Sequence, residues 1–416
     1  MPESKVITIL SDGPHLPTGY SNQAKQLVQH WEKKGHKIHW LANAYNGATL
    51  DGIKLDDGTE MKAKIYGEMI PSYFCKTMEK HLKDTKTDIF IVLLDTFMLF
   101  QPNKYGAAGW FLSKDLSPSK SFFWYPTDGG GGMPKQCEKI LNKVDVPVAM
   151  AKFGAKQVKD YHNIDSKYIP LGCDISRFKR LPDDERDNLR KMNGLDDKFV
   201  IGVVARNQPR KHLDRTIKVM YKLKDKIPNA VMYLHMDPED AAGMYDLRSL
   251  IQRYGLENRV FFSGMMAHKG FGWDKMNEVY NLMDVFLLTT SGEGFGIPII
   301  EAMACEVPVL ATDYTTTQEL VIDNNCGFGI KLSGVEHVDM FKTNMKEYDD
   351  LNLNGTMTGS WEVERGFCEI DDAVNKLEML KNFPSMRKDM GKNGRLAVER
   401  DYDFKKIAKQ WDKLIE

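Results

Sequence analysis

Several features that would point to other protein classes are missing from this chain of 416 residues. Its six cysteines (Cys75, Cys137, Cys173, Cys305, Cys326 and Cys368) are scattered, and no C-x-x-C pair occurs. In a chain of this size that pattern indicates buried thiols in a reducing compartment, and it argues against a disulfide frame. No apolar run approaches the ~20 residues of a membrane-crossing helix. The opening stretch MPESKVITIL has neither a basic segment nor a signal-length apolar run after it, so a cytoplasmic location is expected. The formal net charge is −1, which supplies no global field to draw the chain to nucleic acid or anionic lipid. Only a local patch leaves contact with a membrane surface open. No G-x-G-x-x-G follows KVITIL or FVIGVVA, which counts against a dinucleotide oxidoreductase. None of the ten histidines stands in an H-E-x-x-H or H-x-x-x-H spacing, and no metal site is assigned. The DYD at 401–403 lies amid helical, Lys-rich sequence with no strand ahead of it, and reads as a helix cap.

What is present is ordinary for a globular protein: 42% hydrophobic and 28% charged residues. The length suits two domains of roughly 200 residues each. KVITIL (5–10) is a short β-branched run that ends in a Gly/Pro-rich loop. Ala24, Leu27, Val28 and Trp31 then recur at helical spacing, Gly35 stops that helix, and KIHWLA starts the next strand. The rhythm continues through DIFIVLLD (88–95), KSFFWYP (120–126) and VPVAMA (146–151). After the charged stretch 180–197 it begins again, with FVIGVVA (199–205), AVMYLHM (230–236), RVFFSG and DVFLLTT (284–290) as strands between helical segments. Alternating β and α implies parallel sheets covered on both faces. Two doubly wound units in one chain predict a ligand cleft at the carboxyl ends of both sheets. The segment 332–367 fits this rhythm poorly and reads as a surface excursion with a short hairpin.

The chemistry concentrates in SGEGFGIPIIEAMACEVPVLATD (291–313), where Glu293 and Glu301 stand eight residues apart. Eight helical steps span about 12 Å, beyond the ~5–9.5 Å of glycosidase carboxylate pairs. Two separate hydrogen-bonding roles are therefore expected, with the GFG between them placing free N–H groups at a helix start, where a phosphate binds. A surface Glu293 and a solvated Glu301 are the plain alternative.

This stretch resembles the E-x7-E motif of retaining GT-B glycosyltransferases, specifically family 4. VVARNQPRKHLDRTIKVM (203–220), IPLGCD (169–174) and YPTDGGGGMP (125–134) are similar to further family segments in the same order, so the resemblance covers both domains. It implies the GT-B fold: two Rossmann-like doubly wound domains, the N-terminal one over 1–172 and the C-terminal, nucleotide-sugar-binding one over 173–399, with helix 400–416 returning to the first. By the same resemblance Glu293 would contact donor sugar hydroxyls. Gly294, Phe295, Gly296 and Ile297 would hold sugar and diphosphate, Glu301 the ribose, and Arg206 and Lys211 the diphosphate in place of a metal. Gly19, in the LPTGYSN loop, would face donor phosphate and acceptor, or form a structural turn that Thr18 or Ser21 caps. Asp128 stands where relatives carry a cleft His and would act on the sugar or acceptor, or form an Asp-Gly turn. Leu171 and His212 depart from the family's usual His and Gly. The implied activity is metal-independent transfer from UDP-glucose or GDP-mannose with an α-linkage, without a cofactor. The implied partners are the donor and an acceptor left open among a glycan, a lipid-linked sugar, a small molecule and a modified nucleobase. Loops 45–60, 67–76 and 98–118 are where acceptor specificity is expected. A nucleotide-sugar 2-epimerase and a silent binding scaffold are the competing readings.

Overall fold

A computed structural model of the chain describes residues 3–55, 58, 60–68, 74–100, 110–240, 243–266, 269–339 and 362–416. It divides into unit 1, comprising Met1–Pro170, His337–Val363 and Ala408–Glu416, and unit 2, comprising Leu171–Glu336 and Glu364–Ile407.

Unit 1 is built on eight strands: β1 (Val6–Asp12), β2 (Lys37–Asn43), β3 (Leu50–Lys54), β4 (Glu60–Tyr66), β5 (Ile89–Leu93), β6 (Lys120–Tyr125), β7 (Val146–Ala149) and β8 (Lys167–Tyr168). Their spatial order is β3-β4-β2-β1-β5-β6-β7-β8. All neighbours are parallel except the edge strand β3, which runs antiparallel to β4. The central strands are buried along nearly their whole length, as their unbroken apolar runs require. Ahead of the helix Gly19–Lys33, Thr18 is the N-cap and accepts from the Ser21 N–H at 3.2 Å. The helix buries Ala24, Leu27, Val28 and Trp31, the stripe read from sequence. Gly19 is its first residue, in the loop that leaves the carboxyl end of β1.

The end of the chain closes this unit. Trp411 is fully buried and meets Trp31, Phe122 and Trp124 edge-on, with ring centroids 5.1–6.3 Å away. The neighbouring Asp412 is also buried; it takes hydrogen bonds from His30 and from the Trp31 indole, and the Lys34 ammonium lies 2.6 Å away. Asp403, in the DYD stretch, caps the start of the helix Phe404–Ile415 by accepting from the Lys405 N–H at 3.1 Å.

Unit 2 carries six strands, β9 (Phe199–Val204), β10 (Ala230–His235), β11 (Val260–Phe262), β12 (Val285–Leu288), β13 (Val309–Thr312) and β14 (Gly327–Ile330), in the order β11-β10-β9-β12-β13-β14. All are parallel. Successive strands run outward one way from β9 and then the other way from β12, so the winding reverses between these two. Open α/β sheets bind ligands at the carboxyl ends of the strands at such a reversal. Gly202, in the middle of β9, is required by packing: a Cβ there would lie 2.0 Å from the Met283 sulfur. The remaining strands, β15 (Leu332–Asp339) and β16 (Glu362–Cys368), pair as a two-stranded ribbon in the segment read as a surface excursion; its residues 340–361 lie outside the described ones.

The expected acceptor loops need correction in part. Residues 50–54, inside the expected loop 45–60, are the edge strand β3, which Asp51, Lys54 and the central Gly52 conceal in the sequence. Trp110 and Phe111 are buried in the unit 1 core. Residues 69–73 and 101–109 of those loops lie outside the described residues.

Unit 1 also packs three aromatic rings together, His39 buried and Tyr66 and His81 partly so. His39 Nδ1 lies 2.9 Å from the Tyr66 hydroxyl, and the His81 ring stands edge-on to both at 4.4 and 5.6 Å. Burial, reinforced by the Lys37 and Lys64 charges, lowers His39 to about 4. Burial, with His39 beside it, lowers His81 to about 4 against the opposing pull of Asp84. Both rings stay neutral in the folded protein while the unfolded chain takes up protons below about 6.5, so stability falls as pH drops from 6.5 toward 4. His81→Phe keeps the edge-on packing and removes one proton from that linkage. Urea unfolding between pH 7 and 4.5 should show the variant's stability declining less steeply by up to about 1.4 kcal/mol per pH unit. An unchanged slope would show that His81 is protonated in the native state.

Candidate active site

The reversal point of unit 2 brings together two loops, 205–212 after β9 and 289–296 after β12. They are stitched by backbone and hydroxyl contacts. Ser291 N–H donates to Arg210 O at 2.7 Å. The Thr290 hydroxyl lies within hydrogen-bond reach of Arg210 O and Gly292 O, and the Thr289 hydroxyl within reach of Lys211 O and His212 O. His212 adopts φ +47°, a left-handed conformation that lets the chain turn from the short 3-10 segment Pro209–Lys211 into the helix Leu213–Leu223. A glycine takes that conformation at less cost. Here the imidazole packs edge-on to Phe367 at 4.8 Å, and burial lowers its pKa.

Glu293 sits inside this junction, 5% exposed. One carboxylate oxygen meets Arg210 Nη1 at 2.8 Å and the other meets the Lys211 ammonium, itself only 7% exposed. Arg210 Nη1 also donates to Gly292 O at 3.1 Å. Burial alone would favour the neutral acid, but the two cations and their hydrogen bonds outweigh it and hold Glu293 down at about 2. The carboxylate is therefore ionised throughout the physiological range. From the other side, the Glu293 N–H donates to Thr315 Oγ1 at 3.0 Å and Thr316 Oγ1 donates to Phe295 O at 2.8 Å. Thr315 does this from φ +52°, strained for a β-branched residue, at a cost of about 1–3 kcal/mol.

Gly294 and Phe295 are buried, and the Phe295 ring packs edge-on to Tyr402 at 5.9 Å, so this residue offers its backbone and not its side chain. Gly296 has φ +105°, and a Cβ there would come 2.9 Å from Ile299 Cδ1. It caps the helix Ile297–Ala304, whose first turn carries no acidic residue to neutralise its dipole.

Glu301 lies on that helix in a different environment. It is 9% exposed, and its Oε2 accepts from the Tyr280 hydroxyl at 2.6 Å. Among the described residues no cation pairs with it; burial pushes it up to about 7, with the phenol pulling the other way. Two carboxylates on one motif are thus driven apart, one firmly charged and one titrating near neutrality.

Arg206 stands apart from the Glu293 cluster. Its guanidinium binds Asp240 through Nε at 2.7 Å and Nη2 at 3.3 Å, half-exposed, with Asp240 buried. Of the expected basic pair, then, Lys211 joins Glu293 and Arg206 joins Asp240. Arg210 was not anticipated, although it directly precedes Lys211 in the PRKH sequence; neither were Tyr280, Thr315 and Asp240. In unit 1, Asp128 is half-buried in the loop after β6; burial raises the Cys137 thiol, and the nearby Asp128 charge adds to that rise. At the end of β1, Asp12 accepts from Thr18 Oγ1 at 2.7 Å and from Asn43 Nδ2 at 3.0 Å. Among the described residues no group of three or more His, Cys, Asp or Glu is arranged to hold a metal. No helix among them is long and apolar enough to cross a membrane.

Comparison with known proteins agrees with this geometry. Residues 185–355 match the family model described as "Glycosyl transferases group 1". Mannosylfructose-phosphate synthase of Agrobacterium fabrum is 28% identical over 185 residues, 43% of this chain and 38% of that protein. The chain spans between about two fifths and somewhat over half of the length of the first curated relatives it matches. Among solved structures, sucrose-phosphate synthase from Thermosynechococcus elongatus superposes with a TM-score of 0.73 at 17% identity, covering 99% of this chain and 98% of that one. Anabaena Alr3699/HepE in complex with UDP superposes with a TM-score of 0.69 at 16% identity, covering 99% of both chains. The chain has the fold of the GT-B glycosyltransferases, and its residues 185–355, most of them in unit 2, match a glycosyl transferases group 1 domain.

Proposed function

We propose that the protein is a retaining glycosyltransferase that moves a hexosyl group from a nucleotide-sugar donor to a hydroxyl acceptor, forming an α-linkage. The observation that carries this reading is the charge pattern at the unit 2 reversal point. Lys211 and Arg210 converge on Glu293 beside a glycine-capped helix start, and Glu301 lies two turns on. Cations and free N–H groups there suit the diphosphate, and the carboxylates suit sugar and ribose hydroxyls. A group 1 domain over the same residues supports it, as does the UDP bound by one structural neighbour.

In the reaction the sugar C1–O bond to the β-phosphate breaks and its electron pair leaves on the phosphate oxygen. The acceptor hydroxyl oxygen bonds to C1 on the same face, and its proton passes to that phosphate oxygen. Lys211 and the nearby arginines Arg206 and Arg210 stabilise the charge that develops on the leaving group, so no divalent cation is needed. Glu293 stays ionised and accepts from the sugar hydroxyls as C1 becomes electron-poor. By the family resemblance, Asp128 acts on the reacting sugar or acceptor and Gly19 faces donor phosphate and acceptor. UDP-glucose and GDP-mannose are the donors of first choice.

A thermal-shift screen of UDP, GDP, ADP and their sugars tests the donor directly, because a ligand raises stability by RT ln(1 + [L]/Kd). One nucleotide should stand out, and its shift should persist in excess EDTA. Loss of that shift with EDTA would reveal a required metal.

The motif residues should then separate by kinetics. Glu301→Ala removes a contact made equally in ground and transition states, so donor KM should rise roughly 10- to 150-fold with kcat little changed. Glu293→Ala should fall mainly on kcat and bind the free nucleoside diphosphate nearly normally. Asp128→Asn should lower turnover while leaving nucleotide Kd within a few-fold. Equal nucleotide affinities in the two glutamate variants would contradict the division of the donor between them.

A further inference from the structure

Glu301 is held by a residue outside the motif. The helix Trp273–Asn281 presents Asn277, Tyr280 and Asn281 as buried polar groups at one helical spacing. Two of them fasten it to the chain segment 179–181. Asn277 Oδ1 accepts from the Lys179 N–H at 2.9 Å; Asn281 Oδ1 accepts from the Leu181 N–H at 2.9 Å, and its Nδ2 donates to Lys179 O at 3.0 Å. The third, Tyr280, is fully buried and wedged between Phe178 and Phe286, with ring centroids at 5.9 and 6.3 Å. Its hydroxyl points at Glu301 Oε2, 2.6 Å away.

We propose that Tyr280 is a positioning residue for donor recognition: its phenol fixes one carboxylate oxygen of Glu301, so that the other is presented to the two ribose hydroxyls. This inference rests on the donor reading given above. The helix cannot shift without breaking the clasp on 179–181, and the ring cannot rotate within its aromatic packing, so the carboxylate is oriented before any ligand arrives. That spares the ordering cost at binding. The same phenol is the hydrogen-bond donor that favours the charged form of Glu301. The remaining titratable groups beside Glu301 are the buried thiols of Cys173 and Cys305, both raised by burial, with Arg395 next to Cys305 through its bond to Ala304 O. Ribose hydroxyls need the carboxylate, so nucleotide affinity should increase as pH rises through about 7.

The test is calorimetric titration of UDP, GDP and inorganic diphosphate from pH 6 to 9, on the wild type, Tyr280→Phe, Glu301→Ala and the double variant. Phenylalanine keeps the ring and its packing. Tyr280→Phe should weaken the preferred nucleotide about tenfold and move the pH midpoint of binding upward. It should leave kcat at saturating donor within about twofold and leave inorganic diphosphate unaffected. In the Glu301→Ala background it should add no further loss, because the effect passes through the carboxylate. A loss that extends to inorganic diphosphate, persists without Glu301, or falls on kcat alone would overturn the role. So would full nucleotide affinity in Tyr280→Phe while Glu301→Ala is weakened. If Glu301→Ala itself binds both nucleotides as the wild type does, the donor reading fails and this inference falls with it.

Discussion

Glu293 between Arg210 and Lys211 is the interaction on which the unit 2 junction depends. Three ionised groups, two of them almost fully buried, are tolerable only because each neutralises another. Removing Glu293 would take a shared counter-charge from two cations in the loops after β9 and β12, a place that a bound anion can fill, and removing either cation would take a partner from a buried acid. That mutual dependence explains why so much local structure serves the turn. Thr289, Thr290 and Ser291 fasten one loop to the other, and His212 and Thr315 accept left-handed backbone to complete it. Strain held in place by surrounding contacts is characteristic of a site whose geometry matters more than its stability.

The second glutamate shows the same sequence logic with the opposite electrostatics. Glu301 has a phenol where Glu293 has two cations, so burial wins and the acid titrates near neutrality. An eight-residue spacing thus separates two carboxylates both in position and in charge state. The parallel sheet sets up this difference. Glu293 lies in the loop at the carboxyl end of β12, where the β9 loop can reach it. Glu301 lies one turn from the end of the following helix, where the helix Trp273–Asn281 reaches it.

Much of this was legible in the sequence, for physical reasons. Strands buried on both faces, such as β1, β5, β9 and β12, appear as unbroken apolar runs, and the stripe Ala24–Trp31 carries a helical period. The edge strand β3 escaped because LDGIK carries charges around a central glycine, and its neighbour β4 because EMKAKIY alternates charged and apolar residues in place of an unbroken apolar run. Within the candidate site, Glu293, Gly296 and Glu301 were read from the E-x7-E resemblance and Lys211 from the 203–220 segment. Arg210 was not, because adjacency in sequence does not show that two neighbouring cations turn toward one carboxylate. Tyr280 was hidden for a different reason: twenty-one residues separate it from Glu301, and only the packing of one helix beside another brings them together.

The most direct measurement is a crystal structure of the complex with the nucleoside diphosphate that binds most tightly. The account predicts diphosphate oxygens within about 3 Å of Lys211 and of Arg206 or Arg210, and ribose hydroxyls at a similar distance from the free edge of Glu301, whose other oxygen stays on Tyr280. A nucleotide bound away from the carboxyl ends of β9 and β12, or one whose ribose leaves Glu301 untouched, would contradict it.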